Sequence, residues 1–184
     1  MIKLAEVTLE NEMDILLCGQ KFIRITELLH LSLSTKSTFA SAISEVVRVM
    51  TDHTDKGCLV IGISEEGKRH KLVCRVCYPA SESSIDMEHF HYAKKLVPIF
   101  DFEQKEECFE LNFSIGLPKS TQLDRTKIAQ IEEAIREGGP VSAYEVLKNS
   151  KNELFQKAEL QREELKAVKY MNELKSEFMS MASH

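Results

Sequence analysis

The spacing of apolar residues changes several times along the chain, and each change marks an element. Residues 3–9, KLAEVTL, alternate as a half-buried strand does. Beyond Asn11 the step lengthens, with Ile15, Leu16, Phe22, Ile25, Leu28 and Leu29 recurring at helical intervals. That pattern predicts an amphipathic helix with Asn11 as its N-cap. The Ser/Thr-rich stretch LSTKST then opens a second helix, whose buried face is Phe39, Ile43, Val46, Val47 and Met50; Gly57 is expected in the turn that follows. Alternation returns in CLVIGIS (58–64) and RHKLVCRVCY (69–78), and the glycine-containing EEGK between them predicts a hairpin. The polar PASESSIDMEH leads to a short helix around FHYAKKLV, and FDFEQKEECFELNFSIGLP repeats the strand, turn, strand grammar. A strand, two helices, a hairpin, a helix and a second hairpin predict an α/β fold: a two-layer α/β sandwich on a mixed, mainly antiparallel sheet.

After Pro118 the chain reads differently. STQLDRTKIAQIEEAIREGGP predicts a helix with Leu123, Ile128, Ile131 and Ile135 apolar, stopped by Gly138, Gly139 and Pro140. From Val141 to His184 there is neither Gly nor Pro, and one helix of that length spans about 66 Å. In it Leu147, Lys151, Leu154, Ala158, Gln161, Leu165 and Val168 alternate steps of four and three, a partly polar heptad seam. Leu165, Val168 and Met171 take two threes in succession where the seam would take a three and a four, the signature of a three-residue insertion that overwinds a coiled coil, and Leu174 follows at a further three before Phe178 and Met181. A long helix with no body to pack against is marginal alone, so a homodimer through 141–184 is expected. The chain thus divides into a globular domain at 1–118, a connecting helix and GGP turn at 119–140, and a coiled-coil helix at 141–184.

Composition removes several function classes. With 184 residues, 43% of them hydrophobic, the chain supports one ordinary core and an appendage. The net charge is -5 with Lys and Arg dispersed, so no nucleic acid is expected as a partner. The N-terminal MIKLAEVTLENEMD carries acidic residues where an export signal needs an apolar run, and no membrane span is legible. A cytoplasmic protein is expected. Five cysteines, at 18, 58, 74, 77 and 108, make an odd set without a disulfide framework. Cys74 and Cys77 have C-x-x-C spacing but no second Cys/His pair nearby, so ordinary thiols rather than a metal site are expected. The remaining histidines, His89 and His91 among them, read as surface or packing residues.

The segment TFASAISEVVRV, followed by a KG turn and a strand, resembles the second helix and following strand of the small anti-sigma-factor kinases of the GHKL ATPase superfamily. AKKLVPIFDFEQKEECFELNFSIGLP resembles that family's last helix and hairpin, so the likeness spans residues 1–118 and implies a GHKL (Bergerat-like) fold. In the family the second helix carries a Glu and, four residues on, an Asn that binds the magnesium of ATP. Glu45 matches the acid, and Val49 stands where the Asn belongs. Where the family has Asp-x-Gly-x-Gly this chain has VCYPASESS, and between Gly67 and Gly116 there is no glycine to form a lid whose backbone N–H groups approach phosphates. The resemblance, with its boxes gone, implies an input domain that meets a signal, ligand or regulatory protein and holds no cofactor of its own. Phosphoryl transfer depends on positioned phosphates and metal.

The closing LKSEFMSMASH (174–184) resembles the opening of the dimerisation and phosphotransfer domain of sensor histidine kinases, a Lys-Ser-x-Phe start running into a small residue, Ser and the phosphoacceptor His. It implies that His184 is the nucleophile. ATP and Mg would be held by a catalytic domain beyond residue 184, and a response-regulator receiver domain would take the phosphoryl group onward. A neutral imidazole nitrogen is a competent nucleophile near pH 7. The expected function is that of the sensory N-terminal part of a cytosolic two-component histidine kinase, itself inactive, with the irregular seam near Val168–Met171 as its switching element. The alternatives are an active anti-sigma-type Ser/Thr kinase with a divergent ATP site and a non-enzymatic dimeric scaffold.

Overall fold

The computed structural model describes residues 1–67, 69–79, 85–105, 107–119, 121 and 123–183. The chain forms two compact units, Met1–Val141 and Ser142–His184.

The first unit runs β1 (Ile2–Leu9), α1 (Met13–Leu28), α2 (Leu33–His53), β2 (Gly57–Glu66) and β3 (Arg69–Pro79). A 3-10 turn at Met87–Phe90 then leads into α3 (His91–Leu96), β4 (Ile99–Gln104), β5 (Cys108–Gly116) and α4 (Arg125–Glu137). The strands form one sheet in the order β1-β2-β3-β5-β4. Every pairing among the described residues is antiparallel, where a mixed, mainly antiparallel sheet was expected. The reason lies in the paired helices: α1 and α2 carry the chain along the sheet and back again, so β2 enters running against β1.

One face of the sheet is apolar and buried. Leu59, Ile61 and Ile63 of β2, Leu72, Cys74 and Val76 of β3, and Leu111 and Phe113 of β5 are at most 1% exposed. The helices meet this face through rings: Phe22 of α1 stacks on Phe39 of α2 at 5.1 Å, and Phe39 lies 5.4 Å from Phe113. The series continues through Phe100, Phe90, Phe102 and Phe109 to Tyr78. Offset and tilted ring pairs at such separations add to the area they bury.

Glycines mark two places where the backbone leaves no choice. Gly67 turns the β2–β3 hairpin at φ 62°, and Glu66 opposite Arg69 is the last pair, so the glutamates of EEGK belong to the strand. At Gly62 a Cβ would stand 2.4 Å from the Ile2 carbonyl oxygen, which lets β1 approach where its register breaks between Lys3 and Ala5. Gly57, expected in a turn, instead opens β2 opposite Leu9.

The start of α1 also differs from the sequence reading. Glu12 holds the N-cap position without a side-chain bond. Asn11 Oδ1 accepts from the Met13 N–H at 2.9 Å, and the buried Asp14 carboxylate accepts from the N–H groups of Glu10 and Asn11 at 2.8 and 3.1 Å. The buried stripe is Leu17, Cys18, Phe22 and Ile25, while Leu16 is 58% exposed. For α2 the Ser32 hydroxyl accepts from Thr35 N–H, and Phe39, Ile43, Val46, Val47 and Met50 are all buried. Helix α4, expected as a connection, belongs to the first unit: Asp124 caps it, Ile128 and Ile131 are buried, and Arg24 of α1 donates to the Gly139 carbonyl at 2.8 Å.

The opposite face of the sheet is polar. Glu6, Val60, Arg75, Asn112 and Asp101 stand side by side across it. Here Glu110, 7% exposed, accepts from Asn112 Nδ2 at 2.8 Å and from Lys105 Nζ at 2.6 Å, with Arg75 Nε 3.2 Å away. The Asn112 amide first, then the Lys105 ammonium, holds the Glu110 carboxyl below the ordinary glutamate range. A depressed folded-state value means that the ionised carboxylate stabilises the fold above its unfolded value and loses that contribution as pH falls through the folded one. We expect Glu110→Ala to cost about 2 kcal/mol at pH 7, with the gap from wild type closing below about pH 4, in urea titrations across that range. A pH-independent difference would contradict this account.

The second unit is α5 (Ala143–Ala182), 40 residues without a break, capped where the Ser142 hydroxyl accepts from Glu145 N–H. Among the described residues no helix is long and apolar enough to cross a membrane.

Candidate functional site

His184 lies outside the described residues, so the site can be described up to its threshold. The residues that carry the phosphoacceptor resemblance, Lys175, Ser176, Phe178, Ala182 and Ser183, belong to the last turns of α5 and its C-cap. Ser183 Oγ donates to the Met179 carbonyl at 2.7 Å, and its N–H reaches the Ser180 carbonyl. Every described residue from Asn149 to Ser183 is exposed. The exposed set includes Leu165 at 57%, Val168 at 55%, Phe178 at 71% and Met181 at 72%. Met171, Leu174, Phe178 and Met181 follow at steps of three and four on one side of the helix, beside Asn172, Lys175 and Glu177. The backbone stays α-helical through Val168–Met171, where the apolar stripe shifts phase. Side chains, not a backbone irregularity, carry that shift.

The matched nucleotide-site residues occupy α2. Glu45 is half-buried, and its carboxylate is engaged by the guanidinium of Arg48 one turn on. Val49 presents no oxygen from its side chain, and its carbonyl accepts from His53 Nδ1 at 2.8 Å. The His53 ring meets that of His89 edge-on at 5.1 Å, and His89 Nδ1 lies 2.8 Å from the Asp86 carboxylate. This polar chain ties the end of α2 to the 3-10 turn. Of the stretch set against the Asp-x-Gly-x-Gly box, Ala80–Ser84 lie outside the described residues. Tyr78, just before them, is 2% exposed, and its hydroxyl has no partner among the described residues. Burial pushes its phenol up to about 12, with the Asp86 charge adding to the effect.

Strand geometry separates the C-x-x-C pair. Residues three apart on a strand face opposite sides: Cys74 is buried with the core, and Cys77 is half-buried opposite Cys58 on the polar face. All five thiols are free. Burial pushes Cys74 well above its usual range and Cys58 up to about 12, the latter helped by its bond to Glu6. Thiols held protonated are poor nucleophiles and poor metal ligands. Among the described residues no three His, Cys, Asp or Glu side chains are placed to hold a metal ion.

No family model matches the sequence, and no curated protein matches it at a significant level. The functional reading therefore stands on the residues themselves.

Sequence reasoning missed two features: the Glu110 network, which is non-local, and a groove between α1 and α2, formed where small residues of two helices meet. The groove's traces in the sequence were Leu16 and Ile23, apolar residues of α1 that lie outside the buried stripe.

Proposed function

We propose that residues 1–184 are the sensory N-terminal part of a cytoplasmic two-component sensor histidine kinase. In this reading the first unit is a GHKL-like input domain that has lost its nucleotide boxes, and α5 pairs with the same helix of a second chain. His184 takes a phosphoryl group from ATP and Mg held by a catalytic domain outside residues 1–184, and a receiver domain takes it onward. The GHKL reading is supported by Glu45 on the second helix and by helices covering one face of an antiparallel sheet.

The observation that carries the proposal is α5 itself. It is one continuous helix with large apolar side chains facing water at intervals along most of its length, and its last turns are LKSEFMSMA, just before His184. A contiguous exposed apolar surface marks an interaction site, and pairing along a seam spaced by three and four is how a helix without a body buries it.

Sedimentation equilibrium at about 10 μM should give twice the chain mass, as an assembly coupled to helix formation does above its dissociation constant. Leu165→Glu together with Val168→Glu should return it to one chain mass. Both side chains are more than half exposed in the single chain, so the thermal transition of the first unit should stay where it is. A wild-type chain of single mass, or a paired double variant, would refute the dimer.

A further inference from the structure

Helices α1 and α2 lie side by side, joined by only Leu29–Ser32, and their outer surfaces bound a groove of about 640 Å³. Leu16 and Ile23, 58% and 44% exposed, stand along its α1 wall seven residues apart, two turns of one stripe. Between them the floor is Gly19 and Gln20, and Ala40 and Ser44 form the α2 wall.

Three observations point to an occupant. Gly19 sits inside a helix, where glycine is a weak choice, yet a Cβ there would meet nothing within 4 Å. Among the described residues nothing packs closely enough to require the glycine; a closely approaching backbone would. Next, the Gln20 side-chain oxygen is buried without a partner among the described residues. A buried acceptor left unpaired is a standing cost, and rotation of the terminal amide can offer it to a donor in the groove. Finally, the charge is lopsided. Glu12, before the first turn of α1, and Asp52, in the last turn of α2, line the same end, where Arg48 is already engaged by Glu45. That end is acidic, and the Ile23–Ala40 end is uncharged.

We propose that this groove docks an amphipathic helix of a partner protein, with two large apolar side chains two turns apart and a Lys or Arg at the end that meets Glu12 and Asp52. A third helix fits because a trough between two packed helices accepts the ridges of another, and small residues along it let backbones approach. The apolar pair supplies affinity, and the acidic end sets the direction of docking. The inference does not depend on phosphorylation of His184.

The test uses residues 1–184 and two synthetic amphipathic helical peptides, each with leucines seven residues apart. One has arginine a turn beyond the second leucine, and the other has glutamate there. By fluorescence anisotropy the arginine peptide should bind at least about tenfold tighter than the glutamate peptide, the size of one favourable charge pair. Leu16→Glu should weaken it by at least about tenfold, and Asp52→Arg should reverse the preference between the peptides. Both side chains are exposed, and circular dichroism checks that each variant folds. The proposal is overturned by lack of saturable binding up to about 1 mM, by equal affinity for the two peptides, or by binding that survives Leu16→Glu. It is also overturned if wild-type protein self-associates in a way that Leu16→Glu abolishes while α5 still pairs, because a second copy would then be the occupant.

Discussion

Replacing Phe39 by alanine should cost about 3–5 kcal/mol of stability, the range for truncating a fully buried aromatic ring. The ring is 1% exposed and stands between the two layers, stacked on Phe22 at 5.1 Å with a 12° interplanar angle and 5.4 Å from Phe113 on the sheet. Truncation removes the transfer energy of the ring and leaves a cavity that Phe22, Ile43 and Phe113, all buried and packed, are poorly placed to fill. The urea midpoint should fall with an unchanged slope, and the thermal midpoint should drop by about 10 °C for a chain of this size. Leu16→Ala, at a 58% exposed position, should move stability by no more than about 0.5 kcal/mol. If Phe39→Ala costs under about 1 kcal/mol, the aromatic series does not bind helices to sheet as described here.

The contrast between those two positions also explains what the sequence disclosed. On α2 the large apolar residues from Phe39 onward lie mostly on one stripe, so periodicity identified five of the six buried side chains, all but Ala42. On α1 they occur on both sides of the helix. Leu16 and Leu17 are neighbours of equal hydrophobicity, and only the sheet beneath decides that Leu17 is buried and Leu16 exposed. Asp14 was invisible to a hydrophobic reading because it is buried to bond the Glu10 and Asn11 N–H groups, a need that arises where β1 turns into α1.

The two hairpins were legible because their turns are local. The insertion of β5 between β3 and β4 was not, since it depends on pairings such as Cys74 with Phe113, far apart in sequence. The fate of the C-x-x-C pair could be read in advance from strand parity alone. The groove could not, because no single helix carries it.

Under the proposed function the effect of changing His184 is larger still. The imidazole nitrogen of His184 would form the bond to the γ-phosphorus as the bond to the bridging oxygen of ADP breaks, and magnesium held with ATP would offset the charge. Glutamine has comparable polarity, but its amide nitrogen lone pair is delocalised into the carbonyl and does not attack. His184→Gln should therefore abolish labelling, a loss of at least about 1,000-fold, as expected for removal of a covalent nucleophile. Glu45→Ala should leave labelling unchanged, because the proposal gives Glu45 no part in holding ATP.

The most direct measurement is the fate of label when the protein as it occurs in its native cells is incubated with Mg and γ-labelled ATP. The account predicts phosphate that is acid-labile and alkali-stable, located on His184 and missing from His184→Gln, while residues 1–184 alone stay unlabelled. Acid-stable label on serine or threonine, label that persists in His184→Gln, or no label in the native protein would contradict it.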